Sequence, residues 1–162
     1  MLSLQITDIK RLTEMLFSGK EFDRFLLHDL DLMTNVEWSL TGKIHESFYE
    51  GDEASLPKES YISWENVRPI LFPMLKGKHL PLSFHIVLLT SKKTTDLMVR
   101  QSGFDECDVS SLTLNLIFRE KQLYLTSGVS YLGFTLDKTL EQFWDKTIRD
   151  FLDSHKASYI EM

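Results

Sequence analysis

The sequence predicts an α+β fold, a curved and mainly antiparallel sheet of about six strands with about four helices, the long C-terminal helix packed across the sheet. Three observations carry that prediction. Leu112, Leu114, Leu116 and Phe118 alternate with mostly polar neighbours, and a period of two places them on one sheet face. The links that follow are short: Arg119–Gln122 is a charged break, and Ser127-Gly128 offers a glycine able to take the positive φ of a tight hairpin. Neighbouring strands should therefore run antiparallel. Finally, Leu140, Phe143, Trp144, Thr147, Ile148, Phe151 and Leu152 recur three and four apart with charged residues between them. That is the stripe of a helix lying on a sheet, and burying each large side chain is worth about 1.5–3 kcal/mol.

Taken in order, Leu2, Leu4 and Ile6 read as a short strand, and Thr7 opens a helical pattern through Ile9, Leu12 and Leu16 that stops at Gly19, a C′ glycine. Phe22 to Thr34 is strand-like, with Leu26, His28, Leu30 and Leu32 on one face and Phe25, Leu27, Asp29 and Asp31 on the other. Asn35 turns the chain, and the alternation of Val36, Trp38, Leu40, Gly42 and Ile44 supplies the second arm of a hairpin. Glu50–Ser60 is acidic, small and broken by proline, hence a loop. Ser63 then caps a helix carrying Val67, Ile70, Leu71, Met74 and Leu75 and ending at Gly77. Pro69 and Pro73 should kink or break it, since each removes an amide and crowds the preceding turn. Phe84 to Thr90 is apolar on both faces, as in a centrally buried strand. Ser91 or Thr94 caps a short helix through Leu97, Met98 and Val99, closed by Gly103. Val129 to Leu136 alternates again, with Leu132, Phe134 and Leu136 on one side, until Asp137 caps the long helix.

A chain of 162 residues suits one domain, 1–162, which buries roughly 70% of the surface its unfolded chain exposes. The single Cys107 excludes an internal disulfide, and no CxxC or Cys/His cluster suggests structural zinc, so a reducing, cytoplasmic setting is expected. No leader pattern and no apolar run of about 20 residues stands out, which argues against secretion or a membrane. The net charge of −6 argues against a general nucleic-acid binder, whose affinity rests on many phosphate contacts.

The runs Ile6–Lys10, Phe22–Leu26, Trp64–Pro69, Lys76–Leu82 and Phe134–Glu141, with Trp144-Asp145, resemble a family of uncharacterised bacterial proteins of about this length, typical of Gram-positive gut bacteria. The likeness covers nearly the whole chain. It implies a bacterial, cytoplasmic, single-domain protein and carries no catalytic or ligand-binding residue over.

No motif for chemistry stands above its structural explanation. On a regular strand His28 faces away from Asp29 and Asp31, so the three share no metal site. His45 lacks the second histidine that a helical zinc site needs. His85 lies in the most apolar strand and reads as a buried neutral histidine, and His155 as a cation suited to a helix C-terminus. Asp105, Glu106 and Asp108 surround Cys107, and their charge suppresses its thiolate. No GxSxG, GxxxxGK[ST] or GxGxxG occurs, and no cofactor is expected.

One uneven distribution remains. Between Glu65 and Asp96 there is no acidic residue, whereas Arg68, Lys76, Lys78, Lys92 and Lys93 all fall there. The window carries +5, leaving −11 for the rest. These five are the candidate anion patch, for an acidic protein segment or a phosphorylated small molecule. The expected function is thus a non-enzymatic binding module for a protein or small anionic ligand. The alternative is an enzyme whose acid–base residues, His28 or His85 with Asp29 or Asp31, converge only in the fold.

Overall fold

In the computed structural model, which describes residues 1–105 and 108–162, the alternating runs pair into a single sheet. Strands β1 (Ser3–Ile6), β2 (Leu26–Met33), β3 (Glu37–Thr41), β4 (Ser83–Leu89), β5 (Val109–Arg119), β6 (Gln122–Tyr131) and β7 (Tyr159–Glu161) lie in the order β3-β2-β4-β5-β6-β1-β7. Every pairing is antiparallel. Helix α1 (Ile9–Thr13) runs on into a π-helical turn, Glu14–Ser18; α2 spans Trp64–Leu75, α3 Lys92–Ser102 and α4 Thr139–Ser154.

Register turns the alternation into a continuous apolar face. Leu32, Phe84, Phe118, Leu123 and Ile6 form one row across five strands, and Leu30, Ile86, Leu116, Leu125 and Leu4 form the next. All ten are buried. Over this face α2 lays Trp64, Val67 and Leu71, and α4 lays Leu140, Trp144, Ile148 and Leu152. The polar ends of the two tryptophans are satisfied: Trp64 Nε1 donates to Leu16 O at 2.7 Å, in a last turn where carbonyls lack helical partners, and Trp144 Nε1 donates to Thr113 O at 3.2 Å. The opposite face carries Ser39, Asp31, His85, Ile117, Tyr124 and Gln5 in one row.

Several expectations are corrected. The charged break expected at Arg119–Gln122 is the β5–β6 turn, with Glu120 and Lys121 both at positive φ (52° and 61°), the geometry of a two-residue hairpin loop, but the second turn expected at Ser127-Gly128 does not form. Gly128 sits in mid-strand opposite Thr113, and the residues Leu132, Phe134 and Leu136 belong to no strand. α2 is continuous through Pro69 and Pro73. Both prolines stand on its exposed side, four residues apart, where water can serve the carbonyls they leave unbonded. Gly19 ends its helix in extended backbone (φ −82°) rather than the left-handed form. His85 is exposed on the uncovered face instead of buried. A seventh strand, β7, follows α4 and pairs with β1. α3 matches its prediction: Ser91 Oγ accepts from Thr94 N at 3.2 Å, and Gly103 closes it at φ 74°. No helix among the described residues is long and apolar enough to cross a membrane.

Two outcomes follow from this architecture. A Cβ at Gly42 would lie 1.9 Å from Leu27 O, whereas one at Gly133 meets nothing within 4 Å. Gly42→Ala should therefore lower the urea midpoint severely and Gly133→Ala barely, as equilibrium denaturation of both variants would show. Asp137 accepts from the hydroxyl and amide of Thr139 at 2.6 and 2.8 Å, and these bonds, the hydroxyl's first, hold its carboxyl below the ordinary value of 3.8. A folded pKa below the unfolded one gives stability that is present above the unfolded value and lost as pH falls through the folded value. Asp137→Asn should thus flatten the acid limb of a melting-temperature profile below about pH 4.

Candidate functional site

A cleft is built around one irregularity in β2. Register against β4 jumps from Leu27↔Leu88 to Asp29↔Val87, so His28 is an extra residue, a β-bulge. Leu27, Leu30 and Leu32 keep to the core while His28 and Asp29 both come to the uncovered side, and His28 Nδ1 contacts Asp29 Oδ2. The other carboxylate oxygen, Asp29 Oδ1, accepts from Thr41 Oγ1 at 3.3 Å. Beyond Thr41 the hairpin arm diverges, and residues 60–63 fill the gap: Leu27 N donates to Ile62 O and Ile62 N to Gly42 O, both at 2.8 Å. This carries Tyr61 onto the His28 ring, stacked at 5.0 Å between centroids.

Together these elements enclose about 610 Å³ at the end of the sheet where β4 passes into α3. Val87, Leu89 and Thr113 line it from β4 and β5, with Lys58–Tyr61 on one side and Lys92, Thr95 and Asp96 on the other. Ser110, Ser111 and Ser130 add hydroxyls. Glu59 Oε1 accepts from Lys92 N at 3.2 Å, so the loop is tied to the start of α3. Lys92 Nζ pairs with Asp96 at 3.4 Å in the open. Beneath them Thr90 and Thr95 share a 2.7 Å bond, and Leu112 N donates to Thr90 Oγ1 at 3.1 Å, so the buried hydroxyls are satisfied.

A family model described as "Family of unknown function (DUF5721)" matches residues 15–160. The chain belongs to that family. No curated protein and no solved structure matches it. In this DUF5721 chain the matched span takes in β2, the bulge and every residue lining the cleft.

The five predicted anion-binding residues are not gathered in one place. Arg68 forms a two-toothed ion pair with Asp23, Nε to Oδ1 at 2.8 Å and the second nitrogen to Oδ2 at 2.9 Å, both side chains largely buried. The hydrogen bond to Asp23, before any other influence, raises the guanidinium pKa. Lys76 and Lys78 follow α2, while Lys92 and Lys93 open α3; β4, seven residues long, lies between the two pairs, a rise of roughly 20 Å. Lys92 alone lines the cleft. His28 does meet Asp29, against the expectation from a regular strand, because the bulge brings consecutive side chains to one side. His155 Nδ1 faces Phe151 O at 2.8 Å, a structural contact; His45 is exposed. Cys107 lies outside the described residues. Among the described residues no three His, Cys, Asp or Glu side chains gather as a metal site.

No pattern in the sequence marks Lys58, Tyr61 and the serines of β5 and β6 as parts of one site. The visible signal was Ser110-Ser111, two hydroxyls entering an apolar strand.

Because the Arg68–Asp23 pair is largely shielded and doubly bonded, removing either partner strands a charge. Arg68→Ala or Asp23→Ala should each cost about 1.5–3 kcal/mol, and the double variant less than the sum, as a double-mutant cycle by chemical denaturation would measure.

Proposed function

We propose that the protein is a non-enzymatic binding module whose ligand, a small polar molecule carrying an anionic group, occupies the cleft between the bulge of β2, the 58–61 segment and the start of α3. The reading rests chiefly on the cleft's lining: five serine and threonine hydroxyls besides the mutually bonded Thr90 and Thr95, with Lys58 and Lys92 beside a stacked histidine–tyrosine pair. Hydroxyls and ammonium groups donate to an oxyanion from several directions, and the rings offer a flat surface for the rest of the molecule. A volume of about 610 Å³ falls among ordinary small-molecule sites, roughly 300–1,000 Å³. The net charge of −6 disfavours nucleic acid, and a cytoplasmic setting suits a chain with one cysteine. An acidic protein segment is the larger partner of the same chemistry.

A second reading is favoured by the contact of Asp29 with His28, whose ring lines the cleft. A carboxylate that orients an imidazole is the arrangement of a general base, so the same cleft would activate water or a substrate hydroxyl.

Binding of inorganic phosphate, sugar phosphates and small dicarboxylates, followed by calorimetry at low salt, separates these. Lys58→Gln with Lys92→Gln should weaken the best ligand about tenfold or more, while Lys76→Gln with Lys78→Gln should leave it unchanged. Equal affinities for both double variants would remove the cleft from consideration. Turnover of phosphate or carboxylate esters that disappears in His28→Asn would instead establish the second reading.

A further inference from the structure

We propose that a second copy of this chain docks its Leu132–Leu136 segment as an added strand on the outer edge of β3. β3 is an edge strand whose partner lies on one side only. The bonds Gly42 N to His28 O and Thr34 N to Val36 O, each 2.9 Å, fix the phase of the β2–β3 ladder. Trp38 and Leu40 turn their backbone groups inward, and Glu37, Ser39 and Thr41 turn theirs outward. Such an outward row is a template for another strand.

Below that edge the same face offers an apolar groove of about 300 Å³ between β3 and α2, lined by Trp38, Leu40, Ile62, Ile70 and Met74 among others. Trp38 and Leu40 are 41% and 40% exposed and Ile70 64%, so the core face continues past its helical cover. The occupant is written elsewhere in the chain. Leu132, Phe134 and Leu136 are 75%, 88% and 80% exposed, and they alternate with Gly133 and Thr135. In an added strand the three would share one face. The segment matches β3 residue for residue in length, five against five. Charge agrees: copies of a −6 chain repel, but residues 132–136 carry no charge and β3 carries only Glu37.

The segment cannot reach its own edge. It follows β6, four strands away from β3, roughly 19 Å at about 4.8 Å per strand. Docking is therefore between copies and head-to-tail, giving a ring or a growing chain. The inference is independent of the cleft.

Sedimentation velocity on the full chain tests it. Ser39→Pro removes an outward N–H while leaving the inward ladder its bonds, and Phe134→Asp puts a charge in the docking segment. Wild type should gain mass as concentration rises, to a reciprocal dimer or a larger ring or chain, and each variant should stay monomeric. Their equimolar mixture should stop at a dimer, since one copy supplies a working edge and the other a working segment. A wild type that stays monomeric at its highest soluble concentration overturns the proposal, as does a Ser39→Pro chain that associates like wild type or a mixture that grows past two. Should Ser39→Pro lose its melting transition, a labelled peptide of residues 129–138 replaces it: saturable binding to the Phe134→Asp chain supports the docking, and no binding overturns it.

Discussion

One extra residue in β2 sets the terms for half of the molecule. A strand that alternated without interruption from Leu26 to Met33 would put Leu27 on the face opposite to Leu30 and Leu32. The bulge at His28 resolves that conflict: Leu27 keeps to the core with Leu30 and Leu32, and the unpaired residue is pushed to the bare side. The added twist of a bulge also suits the divergence of the hairpin arm at Gly42. In the gap, residues 60–63 bond to both Leu27 and Gly42, with no room for a side chain on Gly42. The cleft, the His28–Asp29 contact and the path of the acidic loop all descend from the same irregularity.

The rest of the sheet obeys a simpler rule. With every helix that covers it on one side, each strand has one face to bury and one to leave to water. The buried face is built almost wholly of leucine, isoleucine and phenylalanine in register, and its few polar intrusions are bonded. Ser127 illustrates this: its hydroxyl accepts from Leu2 N at 2.9 Å and donates to Asp145, joining β6, the segment before β1 and α4 through one side chain. Edges are handled differently at the two ends. β7 is short and is clamped from the side by the Arg149–Glu161 ion pair, whereas β3 keeps five exposed residues.

What could be read from the sequence was whatever depends on one kind of period. The alternation in β5, the stripe of α4 and the cap and closing glycine of α3 are local signals, and all three elements stand where the pattern put them. Misreadings came where a local cue had a competitor. Ser127-Gly128 looks like a second turn after the break at Arg119–Gln122 because glycine is the usual bearer of positive φ, yet of the two sites only Glu120 and Lys121 take that conformation, and Gly128 serves close strand packing against Thr113. His28 and Asp29 were assigned to opposite faces by a rule that a bulge suspends. Arg68 was grouped with lysines near it in sequence, but its partner, Asp23, is 45 positions away, a distance over which no periodicity speaks. The cleft was illegible for the same reason, since its walls come from five separate stretches of chain.

The placement of β1 between β6 and β7 governs how the chain can fold. Just before it, the Leu2 amide donates to the Ser127 side chain, Leu2 N to Ser127 Oγ, closing a separation of 125 residues, and the strand's other neighbour comes later still. Loop closure over that length must be made before any pairing rewards it. The hairpins β2–β3 and β5–β6 assemble from neighbours, so they are able to form early, while the strand that begins the chain waits unpaired for the far end to arrive. Until it docks, the edge of β6 and the apolar residues Leu2, Leu4 and Ile6 are both bare, surface of the kind on which misassembly feeds.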